Sequence, residues 1–580
     1  MLVPTAPLLA ALAARLVPRH GALAATVAAV PSVALALFPP DRALDLPWLL
    51  LGVELGIDAL RRPLLLLAGC LWLLAAVYAR AYHRADPRSR PLFVFFSLTM
   101  SGNLGLVVAF DAVTFYLSFV LMNLSAYGLI RHAGNAEARR AAKVYIVLVI
   151  AGEGLILPAL WLGASAADSL ALADVRAAVA AHPLQSWIVG LLFFGFGIKA
   201  GALPLHIWLP LAHPVAPTPA SAVLSGMMIK AGLLAWLVFL PLAEASLPGW
   251  GLAWVIFGLA AAYYGALMGV LQDRPKTVLA YSSISQMGLM TVAVGLALAA
   301  APGPAHGAEA AKAAMMAAVV YAVHHGFAKG ALFLGTGLTD HTSGRGRLVV
   351  VALLALPALA LAGLPPTTGL AAKAVLKDAT AVAMPAWQNW LDPLLALAAV
   401  GTTLLLARFL VVVAGPAANS APGPAGFGLW GPWLATLAAA AGAAWLPFVI
   451  PAGPAAEAFT AGSLADAAWP VAVGAGVALM VWRFFLARPR ARPIVVPAGD
   501  ILVLLEPVGR CLEKMGRDTV RRLGTMDGRW AWLGHVLLVY VRFAEGRLCR
   551  LERRLASWPI LVAGFGMLLL LVGVIAYNGR

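Results

Sequence analysis

Four lysines, Lys199, Lys230, Lys329 and Lys373, lie inside long apolar stretches of this 580-residue chain. An ammonium group at the centre of a bilayer helix costs roughly 2.5 to 3.5 kcal/mol on insertion scales, and ionisable groups at that depth usually mark ion or proton paths. The chemistry expected of them is proton transfer. Burial disfavours the charged form of lysine, so a buried series linked by water or histidine can pass a proton along the membrane. A snorkelling lysine belongs at the end of a span, whereas Lys230 falls well inside its own. His325 precedes Lys329 by four residues, so the two share one helix face; His324 faces elsewhere and reads as a packing residue. Glu153, flanked by Gly152 and Gly154, is the acidic residue of its apolar stretch, and Lys199 or Lys230 would serve it as a counter-charge.

The elements that must hold these groups are membrane helices. Hydrophobic residues make up 62% of the chain and charged residues 11%, against about 25% charged in an ordinary soluble domain. Apolar runs long enough to cross a bilayer recur from the first residues to Ile575. The expected fold is an all-α polytopic membrane protein with about sixteen spans, near 2–17, 21–38, 63–80, 91–109, 111–130, 142–163, 185–213, 218–243, 252–271, 277–299, 313–336, 348–382, 393–414, 427–450, 469–487 and 558–577. The first is read as a retained span and not a cleaved leader, because its basic residues follow the apolar run. Two spans are broken. Pro204, with His206 and His213 nearby, interrupts the seventh just after Lys199, and Pro365–Pro366 interrupts the twelfth just before Lys373. Non-helical backbone at membrane depth needs protein or a water-filled cavity around it. His206 and His213 are candidates either for bonding the carbonyls freed by the break or for proton transfer.

Position and chemistry of the two breaks suggest two copies of one five-helix unit, residues 91–243 and 252–414, the second inverted because five is odd. Residues 1–90 supply three helices before them and 427–487 two after them. Residues 499–556 mix Leu, Val and Trp with Arg, Lys and Glu at helical spacing. They read as an amphipathic helix along the membrane or a solvated helical pair, followed by an anchoring span at 558–577.

A net charge of +16 would point to nucleic acid in a soluble protein, but here the bases mark topology. Arg84, Arg88, Arg131, Arg139, Arg274, Lys276, Arg345, Arg347, Arg408 and Arg488 fall in alternate loops, so these loops are expected in the cytoplasm and the N-terminus outside it, in a cell inner membrane. Three scattered cysteines, Cys70, Cys511 and Cys549, exclude a disulfide framework, a cysteine zinc site and an iron–sulfur cluster. No metal site and no cofactor are expected in this chain, and any redox chemistry belongs to a partner. The Gly-x-Gly-x-x-Ala run at 195–200 follows no strand and is no dinucleotide site.

Five segments carry a family resemblance: Lys199-Ala-Gly-Ala-Leu-Pro-Leu-His-Ile-Trp-Leu-Pro; the run from Ala212-His-Pro to Met-Met-Ile-Lys230; Val278-Leu-Ala-Tyr-Ser-Ser-Ile-Ser-Gln-Met-Gly288; His325-Gly-Phe-Ala-Lys329; and Gly363-Leu-Pro-Pro-Thr-Thr-Gly-Leu-Ala-Ala-Lys373. The chain resembles the proton-conducting antiporter-like subunits of respiratory complex I (chains L, M and N), of membrane-bound hydrogenases and of Mrp cation/proton antiporters. The resemblance implies that Lys199 takes part in coupling, that Lys230 is the connecting lysine, that His325 and Lys329 form a relay, and that Lys373 lies near the exit. It also implies a lateral helix like that of the distal subunit of complex I. One feature departs from the family: Phe119-Val-Leu-Met-Asn-Leu-Ser-Ala-Tyr127 places Val120 where a glutamate usually pairs with the seventh-span lysine, and Leu211 stands where an acidic residue is often found.

These residues support a proton-translocating subunit, or a sodium-translocating one, of a complex I-like or hydrogenase-like assembly, not catalytic by itself. Its partners would be other membrane subunits, antiporter-like, quinone-module or hydrogenase, together with lipid and no nucleic acid. An ion-conducting component of an inorganic-carbon uptake complex with a cytoplasmic zinc protein is the alternative, and a non-conducting scaffold a further one.

Overall fold

In a computed structural model the described residues are 1–300, 307–415 and 426–481, with Arg483, Pro497 and Gly499. Residues 499–556 and 558–577, expected to form the amphipathic helix and its anchor, lie outside them apart from Gly499, as do Cys511 and Cys549.

The described chain is helical almost throughout. Helix α1 spans Leu2–Leu16, α2 Gly21–Ala28 and α3 Val30–Leu37. A two-stranded antiparallel hairpin follows, β1 (Leu44–Leu46) against β2 (Val53–Leu55), the one departure from an all-helical expectation. Then come α4 (Arg61–Tyr82), α5 (Ser89–Val108), α6 (Ala112–Arg131), α7 (Ala136–Ala167), α8 (Leu172–Ala181), α9 (Gln185–Ala200), α10 (Trp208–Val215), α11 (Thr218–Val223) and α12 (Lys230–Phe239). The remainder comprises α13 (Pro248–Val270), α14 (Pro275–Ala299), α15 (Gly307–Asp340), α16 (Gly344–Ala362), α17 (Thr368–Ala383), α18 (Gln388–Ala414), α19 (Phe427–Gly442), α20 (Ala452–Glu457) and α21 (Ala461–Val481).

Thirteen stretches among the described residues are long and apolar enough to cross a bilayer. The difference from the expected sixteen has identifiable sources. Leu2–Leu16, Thr368–Ala383 and Phe427–Gly442 are 15 to 16 residues long, short of a full crossing. The stretch expected at 348–382 is two helices, α16 and α17, and the last expected span is outside the described residues.

Helix ends are written locally. The Asp111 carboxylate accepts from the Thr114 N–H (2.7 Å) and caps α6, while its other oxygen takes the Glu54 N–H (3.0 Å) and ties the hairpin to that helix. Asn135 caps α7 in the same way through the Ala138 N–H (2.8 Å). Close packing comes from small residues, as expected where lipid supplies no hydrophobic drive between helices. A Cβ on Gly251 of α13 would lie 2.6 Å from the Gly295 carbonyl oxygen of α14, and one on Gly265 2.6 Å from that of Tyr281, so the two backbones touch along their length.

Neighbour order repeats. Helix α5 packs on α6, α6 on α7 and α7 on α9; α13 packs on α14, α14 on α15, and α15 on α16 and α17. In each set of helices the fourth span is the broken one.

The basic loops meet on one face. Arg88 Nη1 donates to the Ala133 carbonyl (2.9 Å), Arg274 pairs with Glu137, Arg408 Nε donates to the Gln272 carbonyl (3.0 Å), and Arg347 bonds the Val413 carbonyl (3.1 Å) at the end of α18. Arg176–Glu244 (2.8 Å) and Lys377–Asp466 join loops and helix ends of the alternate set. Alternation of charge along the sequence thus corresponds to a physical side.

Candidate functional site

The polar residues singled out in the sequence collect around three helices that other helices surround: α11–α12, α14 and α15. Two local distortions place them. The first is the break after Lys199. Gly201, at φ +73°, ends α9 in the left-handed conformation that glycine tolerates. A cis Leu203–Pro204 bond and a short turn at Leu205–Ile207 lead into α10. The Ile198 carbonyl freed by the break is bonded by the Trp208 indole N–H (2.7 Å), not by a histidine. The second distortion is a π-turn at Leu224–Met228 between α11 and α12, absent from the sequence reading. Single π-turns often mark functional positions. Here the turn leaves the Ser225 carbonyl to accept from Lys230 Nζ at 2.8 Å.

Lys230 is fully buried. Its second contact is His325 Nδ1, at 2.5 Å, across to α15. A hydrogen bond between an amine and an imidazole nitrogen needs one donor and one acceptor, so the pair holds one proton between the two nitrogens. His325 Nε2 is buried and has no hydrogen-bond partner among the described residues. An imidazole relay that takes a proton at Nδ1 and gives one up at Nε2 would need an acceptor at that opposite edge.

A second connection leaves Lys230 through serines. Ser225 Oγ and Ser283 Oγ are 2.7 Å apart, Ser283 Oγ donates to the Leu279 carbonyl (2.9 Å), and Lys329 Nζ donates to that same carbonyl (2.8 Å). These contacts gather Lys230 and Lys329 around one buried polar cluster, but not in an unbroken series: the Ser225 carbonyl that Lys230 holds and the Ser225 hydroxyl are separate atoms, and the Leu279 carbonyl only accepts, from Ser283 and Lys329 alike. Beyond them, Tyr321 OH donates to Gln286 Oε1 (2.9 Å), and Gln286 Nε2 donates to Thr402 Oγ1 (3.1 Å).

Lys199, also buried, donates to Tyr145 OH (3.2 Å) and sits over the rings of Tyr145 and Trp208. Glu153 does not meet it directly among the described residues. Glu153 Oε1 accepts from Asn123 Nδ2 (3.0 Å), and Tyr145 OH donates to the Asn123 carbonyl (3.0 Å). The expected ion pair is therefore an indirect link from Lys199 through Tyr145 and Asn123 to Glu153. Asn123 lies one turn beyond Val120 on α6 and holds the Glu153 carboxylate of α7.

His213 does not bond a freed carbonyl. Its ring stacks on Phe333 (4.7 Å between centroids), and neither nitrogen has a hydrogen-bond partner among the described residues. The His206 ring lies edge-on to Tyr264 at 5.0 Å. His324, read from sequence as packing, bonds Thr368 Oγ1 (2.9 Å) at the start of α17, and Thr368 in turn donates to the Ala440 carbonyl (2.9 Å).

At the second break Gly363, at φ +91°, ends α16, a cis Pro365–Pro366 bond follows, and Lys373 of α17 turns back to the Ala362 carbonyl at the end of α16. A cation there meets the negative end of the helix dipole. Lys373 is half-buried and borders a cavity of about 350 Å³ lined also by Lys377, Asp378, Asp392 and Asp466. Charged groups from α17, α18 and α21 line that space.

One cluster escaped the sequence reading. His83, Asp86 and His132 converge on the basic face, although His132 is 46 residues from Asp86. Helical spacing cannot signal ligands contributed by two different turns.

Residues 109–394, just under half of the chain, match the family described as "NADH:quinone oxidoreductase/Mrp antiporter, TM". Hydrogenase-4 component B of Escherichia coli is 29% identical over 296 residues, covering 50% of this chain and 44% of that protein. NADH-quinone oxidoreductase subunit N of Desulforudis audaxviator is 29% identical over 419 residues, 64% of this chain and 78% of that one. The Mrp complex from Dietzia sp. DQ12-45-1b contains a chain that superposes with a TM-score of 0.70 at 25% identity, over 95% of this chain and 63% of that chain. This protein thus spans less than half of hydrogenase-4 component B and under two thirds of the Mrp chain.

Proposed function

We propose that this chain is an ion-translocating subunit of a multi-subunit membrane complex and that the ion is a proton, carried along the series of buried lysines, serines and histidine. The observation that supports this most is the Lys230–His325 contact, with Ser225, Ser283 and Lys329 gathered in the same buried polar cluster. It lies in helices enclosed by protein, where an unused ammonium group is costly. Relatives named as subunits of hydrogenase-4, NADH-quinone oxidoreductase and an Mrp complex support a role within an assembly of membrane subunits.

In this reading Lys199, Tyr145, Asn123 and Glu153 form the coupling end in the first half, the Lys230–His325 pair passes the proton across, and Lys373 delivers it to the charged cavity. The basic face is cytoplasmic, the N-terminus lies on the opposite side, and the membrane is the cell inner membrane. The two sets of five spans are inverted copies. Sodium is the alternative cargo.

The test is flux through the purified assembly reconstituted in liposomes, with a pH dye and a sodium dye inside. Proton movement that persists in sodium-free buffer and is lost in Lys329→Ala supports the reading. Movement that requires sodium, or that Lys329→Ala leaves unchanged, contradicts it.

A further inference from the structure

Beyond transport, we propose that His83, Asp86 and His132 form a zinc-binding site that clamps two turns on the basic face. His83 ends α4, Asp86 lies in the turn to α5, and His132 ends α6. Asp86 Oδ2 is 2.9 Å from His83 Nδ1 and 2.7 Å from His132 Nε2. The donor atoms of the three side chains lie within 4.8 Å of one another. Two imidazoles and a carboxylate are a ligand set that suits zinc, with the fourth position left to water.

Geometry is close to what the ion requires. Zinc–ligand distances near 2.0 to 2.1 Å in a tetrahedron place neighbouring donors about 3.3 Å apart, so the two separations from Asp86 need to open by roughly half an ångström, while the two imidazole nitrogens, within 4.8 Å of each other, need to close by up to about 1.5 Å. Zinc would replace two N–H···O bonds, and a neutral imidazole needs only to carry its proton on the other ring nitrogen.

The surroundings orient the set. Asp86 Oδ1 accepts from the Arg88 N–H (2.9 Å), leaving Oδ2 for the two rings, and the Arg88 guanidinium spans to the Ala133 carbonyl (2.9 Å) beside His132. Supporting bonds of this kind fix ligand direction in metal sites. His83 and His132 side chains are 7% and 8% exposed and that of Asp86 18%, so the carboxylate side is open for the ion to enter. The Arg88 Nε lies 4.0 Å from Asp86 Oδ1, the oxygen turned away from the two imidazoles.

The test uses the tag-free full-length protein in detergent. After dialysis against a weak chelator, Zn²⁺ bound per chain is measured by elemental analysis, and Co²⁺ is titrated as an optical probe. One ion per chain is expected, with affinity falling at least tenfold in D86N and the site lost in the double variant H83Q/H132Q. Absence of a saturable site in the wild type, or unchanged stoichiometry and affinity in the double variant, overturns the proposal. Should the variants fail to fold, X-ray absorption on the zinc-loaded wild type decides: two imidazole nitrogens bound to the ion support the site, and an ion without imidazole ligands overturns it.

Discussion

Lys230 Nζ and His325 Nδ1 stand 2.5 Å apart across the α12–α15 interface, both wholly enclosed by protein. Either nitrogen can hold the shared proton, but both cannot be cationic while bonded. The lysine also holds the Ser225 carbonyl. Its ammonium form is thus solvated by one carbonyl and one imidazole in place of water, which offsets part of the cost of burial. His325→Gln keeps a side chain that can accept from Lys230 but cannot relay a proton from one edge to the other. Proton flux should fall roughly a hundredfold, the usual contribution of a positioned acid–base group, while the assembled complex retains its thermal unfolding temperature.

The serine bridge should behave as one unit. Ser225→Ala and Ser283→Ala each remove the Oγ–Oγ contact, worth about 1 kcal/mol, so each should slow flux roughly fivefold. The double variant should be no slower than Ser283→Ala, which already removes the bond to the Leu279 carbonyl as well, because the added Ser225→Ala change removes nothing further. Multiplying effects, measured in the same liposome assay, would mean that the serines act separately.

Tyr145 is the joint of the first-half network. Tyr145→Phe cuts both Lys199 from the hydroxyl and the hydroxyl from the Asn123 carbonyl. The expected outcome is a loss of about 1 to 3 kcal/mol in stability, since the buried lysine loses a partner, together with weakened coupling between substrate turnover and ion flux. Coupling that stays intact would show that Glu153 and Lys199 communicate by another route.

Helix α13 tolerates little beyond glycine where it crosses α14. Gly251→Val puts a branched side chain against the Gly295 backbone and should destabilise the protein by about 1 to 3 kcal/mol. Thermal unfolding in detergent measures this directly, with the exposed Leu252→Val as the control.

Much of the site was legible because ionisable residues in apolar runs stand out wherever they are. Lys199, Lys230, His325 and Lys329 were visible as types at positions, and the breaks at Pro204 and Pro365–Pro366 as interruptions of a helical run. Pairings across helices were not. Nothing in the local pattern says that Lys230 meets His325 and not Glu153, or that Ser225 meets Ser283, since these contacts join segments 95 and 58 residues apart. The π-turn before Lys230 was hidden for another reason: Leu-Ser-Gly-Met-Met reads as ordinary helix, and only the lysine reaching back to a carbonyl five residues earlier gives the extra residue a purpose. The partner of His324, Thr368, was not legible because it belongs to a half-helix whose start the sequence placed only approximately.

Proton flux through the reconstituted assembly carrying Lys230→Met tests the account most directly. Methionine fills a similar volume without a charge or a donor, so packing and assembly are preserved while the link between Ser225 and His325 is cut. Flux at about a hundredth of the wild-type rate or less, with subunit composition unchanged, is the predicted result. Wild-type flux in an intact Lys230→Met complex would contradict it.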